Sequence, residues 1–98
     1  MQSLKEGGKP MVTQYLLTFQ NTHYAVKSEK LLVSNQLAVS VMALPESLGD
    51  FCGICLRLEP ADFQTGCQLL RTEQIPVEGM YEIIIDSQGE RSYRPWMN

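Results

Sequence analysis

The side chains in this sequence with the most chemistry to offer are three cysteines and one histidine. Cys52-Gly53-Ile54-Cys55 has CxxC spacing, Cys67 stands apart, and His23 lies well upstream. A thiolate is a nucleophile and a soft metal ligand, so such residues could hold zinc or exchange a disulfide. A structural zinc site takes four ligands, and the second half of a zinc knuckle is missing, so no metal and no cofactor is expected. If Cys52 and Cys55 both lie in a strand, their Cα atoms are about 10 Å apart on opposite faces. That exceeds the roughly 7 Å a disulfide can bridge, so the motif does not read as a thioredoxin-like redox pair.

Cys52 follows the turn residues Ser47-Leu48-Gly49-Asp50, and Gly53 beside it has no Cβ to crowd an incoming donor. Both features suit an exposed, accessible thiol. Strand parity supports the opposite reading. Cys52, Ile54, Leu56 and Leu58 alternate onto one face, which would make Cys52 a small core hydrophobe. Cys67 shares an apolar helical stripe with Phe63 and Leu70 and reads as core. There is no GxSxG, no phosphate-binding glycine loop and no recognisable carboxylate pair, so nothing signals a self-sufficient enzyme.

The elements that must position these residues follow from periodicity. Residues 1–13 are polar, contain Gly7-Gly8 and Pro10, and read as a flexible tail. A buried strand is expected over 15–19, then an N-cap at Asn21 or Thr22 and a helix over 23–36. Residues 39–44 form a second strand stopped by Pro45, and 51–58 a third. Pro60 opens a second helix reaching Gln74, and 77–85 is a fourth strand. Residues 86–98 make a hairpin or tail, in which Arg91 to Trp96 either pairs as an added edge strand or lies loose.

Shifting the chain by 38 residues sets Leu31-Leu32 on Leu69-Leu70, Gln36 on Gln74 and Val39 on Val77. Two β-α-β halves of this kind predict an α+β, ferredoxin-like split β-α-β domain over 14–85. Its strand order would be 4-1-3-2, with the first and third strands parallel at its centre. On that plan His23 and Cys52 are about 20 Å apart at opposite ends of the sheet. His23 then reads as a surface residue at a helix start, sharing its end with Arg57, where an anion site is the alternative. Both helix C-termini would lie at the Cys52 end. The second sheet face, with Leu17, Phe19, Met42 and Ile84 to cover, calls for a homodimer or for the Arg91 to Trp96 segment.

The bounds are ordinary. A chain of 98 residues, 44% hydrophobic and 19% charged, supports one globular domain without disulfides. A net charge of −3 offers no basic footprint for nucleic acid or anionic lipid. No apolar run approaches the length that spans a bilayer, and the N-terminus lacks an export signal, so a cytoplasmic protein is expected.

Several stretches carry a resemblance: Leu17-Thr18-Phe19 followed by Thr22-His23, Glu29-Lys30-Leu31-Leu32, Cys52-Gly53 followed by Leu56-Arg57, and Val77-Glu78-Gly79 with Tyr81-Glu82. On these the chain resembles the small selenium/sulfur carrier-like family, departing from it at Cys55, where a small apolar residue is expected. The resemblance implies a carrier in which Cys52 accepts sulfur or selenium from a persulfide or selenide, with Gly53 allowing close approach. Cys55, Arg57 and His23 are secondary candidates. It also implies a cysteine desulfurase-like donor and an acceptor enzyme as partners. The alternative is a non-catalytic interaction or dimerisation module with no thiol chemistry.

Overall fold

The computed structural model describes residues 11–49 and 53–96. Its elements are β1 (Met11–Thr18), α1 (Thr22–Ser34), β2 (Val39–Ala43), a 3-10 turn (Glu46–Leu48), β3 (Ile54–Leu58), α2 (Pro60–Thr72), β4 (Gly79–Ile85) and β5 (Arg91–Pro95). They form an α+β domain with one five-stranded sheet in the order β2-β3-β1-β4-β5 and two helices. The Arg91 to Trp96 segment thus supplies an added edge strand. β1 starts at Met11, inside the stretch expected to be tail, because its first half pairs with Ile85 and Ile84 across an irregularity between Val12 and Gln14.

The neighbours of β1 are β3 and β4, as expected, but their direction is not. Every pairing is antiparallel, β1 with β3 included, with Thr18 opposite Cys55 and Tyr15 opposite Leu58. The expected parallel central pair is therefore overturned. The reason is topological. A right-handed β1-α1-β2 crossover leaves one strand's width between two parallel strands. The strand that fills it from the β2 side is antiparallel to both.

Consecutive residues of the central strands are buried on both faces. Leu17, Leu56 and Leu58 join Phe19, Ala25, Leu32, Phe63 and Leu70 in the main core beneath the helices. α1 rests on β2 and β3, and α2 on β1. Leu16, Cys55 and Ile83 form a second cluster on the other face, packed by Met42, Leu44, Leu48, Tyr81 and Tyr93. Leu17 and Phe19 thus belong to the helix side, and the second face is covered within the chain. Tyr93 of β5 and the Glu46–Leu48 turn contribute to that cover.

Asn21 caps α1, its side-chain oxygen accepting the Tyr24 N–H at 3.0 Å. Pro60 opens α2, and the Asp62 carboxylate in its first turn accepts the Ala38 N–H at 3.0 Å. The two helices end alike, at the pair of glutamines that the 38-residue shift superimposes. Gln36 and Gln74 both adopt positive φ, 66° and 61°. The N–H groups that follow reach back five residues, Leu37 to the Leu32 carbonyl at 3.1 Å and Ile75 to the Leu70 carbonyl at 2.9 Å. This is the Schellman arrangement, which normally recruits glycine because a Cβ costs energy in the left-handed region. Gln36→Gly and Gln74→Gly should each raise stability by about 0.5–1 kcal/mol, read as a higher urea midpoint at unchanged slope. A fall in midpoint would show that the glutamine side chains contribute more than the strain costs.

Ser28 on α1 is fully buried, and its hydroxyl finds no hydrogen-bond partner among the described residues. An unsatisfied buried hydroxyl is a desolvation cost without return, and alanine is the better helix former. Ser28→Ala should stabilise the domain by about 1 kcal/mol; a loss in thermal or urea unfolding would mean that the hydroxyl has a partner.

Candidate functional site

The antiparallel β1–β3 pair determines which groups share an end of the sheet. Thr18, the last residue of β1, lies opposite Cys55 in β3 and Gly79 in β4. The start of β3, the start of β4 and the N-terminus of α1 therefore meet at one end. The N-cap Asn21 is three residues beyond Thr18, and His23 sits exposed in the first turn of α1, its ring tilted against Tyr24 with centroids 5.8 Å apart. The expectation that both helix C-termini occupy this end is corrected for α1, which presents its N-terminus. The C-terminus of α2 does lie there, since its chain leads into β4.

Cys52, the expected chalcogen acceptor, lies outside the described residues with Asp50 and Phe51. Its neighbour Gly53 is exposed, with φ 79°, and its carbonyl accepts the Leu44 N–H at 2.9 Å. A Cβ built on Gly53 would meet nothing within 4 Å. The space beside Gly53 is therefore open, and its backbone conformation by itself calls for glycine.

His23 is not on the opposite end of the sheet from the start of β3, as the parallel arrangement required. Nor does it share its end with Arg57. Arg57 is paired with Leu16 and Ser40, one residue short of the far end of β3, so the anion site imagined between His23 and Arg57 has no basis. Cys55 is fully buried in the second cluster, its thiol 3.8 Å from the Ala43 carbonyl oxygen. It cannot present a thiol to a partner without unfolding that face. Among the described residues no group of His, Cys, Asp and Glu could hold a metal ion.

Cys67 packs half-buried against the main core as expected, but it also borders a groove of about 190 Å³ between α2 and the ends of β4 and β5. Phe63, Arg71, Met80 and Trp96 line the groove with it. Burial pushes the Cys67 thiol above its ordinary pKa, with the Arg71 guanidinium opposing the shift, so the thiol is disfavoured as a nucleophile at neutral pH. Trp96 stands edge-on to Phe63 at 5.1 Å, and Phe63 stacks on Tyr15 at 4.1 Å. It is thus part of an aromatic run rather than an isolated ring. Sequence pattern gave no hint of this, because the three residues come from β1, α2 and the segment after β5.

The model of the Putative Se/S carrier protein-like family matches residues 14–82, more than half of the chain, and the chain belongs to that family. No curated protein and no solved structure matches it. No helix of the described residues is long and apolar enough to cross a membrane.

Cys55 is fully buried and Cys67 half-buried, and that difference ranks the cost of replacing them. Cys55→Ser should cost about 1–2 kcal/mol and Cys67→Ser about half as much. Urea unfolding of the two variants side by side tests this, and a milder effect at Cys55 would contradict its placement.

Proposed function

We propose that the protein is a sulfur or selenium carrier in which the Cys52 thiolate accepts a chalcogen atom from a partner and surrenders it to another. The observation that carries this reading is the end of the sheet shared by Gly53 and the N-terminus of α1. A thiol attached to Gly53 would share its end of the sheet with the N-terminal, positive pole of a 13-residue helix and with His23 in that helix's first turn. A helix N-terminus favours a thiolate. The open space at Gly53 leaves room for the donor's own cysteine. Burial of Cys55 and the raised pKa of Cys67 leave Cys52 as the thiol suited to the task.

The transfer balances without an external oxidant. The Cys52 thiolate attacks the outer sulfur of a donor persulfide, the donor's S–S bond breaks, and its cysteine leaves as a thiolate. Cys52 then holds the persulfide, and the same exchange in reverse hands the sulfur to an acceptor enzyme. A cysteine desulfurase-like protein is the donor this chemistry asks for. In the same reading, the domain is a ferredoxin-like split β-α-β unit with β5 added, acting in the cytoplasm.

The experiment is intact mass under non-reducing conditions after incubation with a cysteine desulfurase and cysteine. The wild type should gain the mass of one sulfur, Cys52→Ser should gain none while keeping its circular dichroism, and His23→Gln should load more slowly. Equal loading of Cys52→Ser, or no loading of the wild type, would leave a non-catalytic interaction module as the better reading.

A further inference from the structure

The two edges of the sheet are built differently. β5 carries Arg91, Arg94 and Pro95, with Arg94 held to Glu82 at 2.8 Å, and such residues blunt an edge against further pairing. β2 reads Val39-Ser40-Val41-Met42-Ala43, with no charge and no proline, and it pairs with β3 in unbroken register. Its outward hydrogen-bonding groups can be assigned. Leu44 donates inward to the Gly53 carbonyl, so by antiparallel alternation Met42 and Ser40 also face β3. Val39, Val41 and Ala43 therefore direct their N–H and C=O groups away from the sheet.

The exposed large hydrophobic residues among those described are Val26 at 39%, Val33 at 51% and Val41 at 49%. Val41 projects from β2 toward the helix side. On α1, Ala25, Ser28 and Leu32 face the sheet while Tyr24 and Leu31 pack into the core on one flank. Val26 and Val33, two turns apart, fall on the other flank. Because α1 lies over β2 and β3, that flank borders the bare edge.

We propose that this edge is a self-association surface, on which β2 pairs antiparallel with β2 of a second copy about a twofold axis through Val41, joining two sheets into one of ten strands. The pattern is self-complementary, as an isologous interface requires. Val41 would meet the partner's Val41 in a hydrogen-bonded pair, and Val39 the partner's Ala43. The strand has no charge to repel its own image. The α1 helices then run antiparallel across the axis. The midpoint of Val26 and Val33 coincides in sequence with that of Glu29 and Lys30, so an antiparallel helix pair centred there sets valine against valine and Glu29 against the partner's Lys30. The pairing is independent of any thiol chemistry.

Sedimentation velocity on the full chain, with amide hydrogen exchange, tests the proposal. The wild type should sediment as a dimer at roughly 0.1 mM, with the amides of Val39, Val41 and Ala43 protected. Val41→Lys sets like charges on the axis at a half-exposed position and should weaken association at least about 100-fold, with loss of that protection and retained circular dichroism. Val41→Pro removes an outward N–H that the β2–β3 ladder does not use and should do the same; if it unfolds, the lysine variant decides. A strictly monomeric wild type overturns the proposal, as does a dimer that survives Val41→Lys with the three amides unchanged.

Discussion

The antiparallel pairing of β1 with β3 is the constraint on which the rest of this molecule depends. Leu16 and Leu17 are both fully buried, one on each face, as are Cys55 and Leu56 beside them. A pair of strands buried on both faces fixes its register firmly, because a slip of one residue would exchange every side chain between the two clusters. Once that pair is set, the termini of the other elements follow. β2 must run with β1, β4 must run with β3, and each helix must return the chain along the length of the sheet. The N-terminus of α1 then has nowhere to be except the end where β3 begins.

Most elements were legible because their patterns are strong. Tyr15 through Phe19 is rich in β-sheet formers, Tyr24, Ala25, Ser28, Leu31 and Leu32 repeat at helical spacing, and Pro60 marks a helix start. The misses have physical causes. Met11 to Gln14 has little apolar pattern, and its pairing with β4 is tertiary. Each helix stops two residues short of the expected Gln36 and Gln74, because both glutamines take up a left-handed cap in which that residue type is not expected. The direction of β3 was misread through topology rather than composition, and that error moved His23 to the wrong end of the molecule. The burial of Cys55 was illegible for a different reason. It depends on Leu44, Leu48 and Tyr93 folding over a face that a two-layer plan leaves open.

Three cysteines in one small domain pose a selectivity problem for any thiol carrier. Cys55 is removed from reaction by complete burial and by its position under the Glu46–Leu48 turn. Cys67 is restrained electrostatically, through desolvation that Arg71 only partly offsets. Neither device depends on the region around Cys52. The domain therefore keeps these two thiols for packing. Selectivity of this kind is a property of the fold, since exposure and local potential set thiol reactivity more than sequence spacing does.

The family match ends at residue 82, yet the chain beyond it is structurally integral. β5 pairs along β4 from Ile85 to Tyr81, Tyr93 joins the second cluster, and the Trp96 N–H donates to the Met80 carbonyl at 2.8 Å while its ring meets Phe63. A domain stopping at β4 would present two unblunted edges, β4 on one side and β2 on the other. Adding β5 replaces an apolar edge that contains Ile83, Ile84 and Ile85 with one carrying Arg91, Arg94 and Pro95. The extension thus closes one side of the sheet to further pairing and completes the aromatic run over α2. Among the described residues it leaves β2 as the edge whose outward backbone groups no strand takes up, so the two sides of the sheet differ in charge and in pairing.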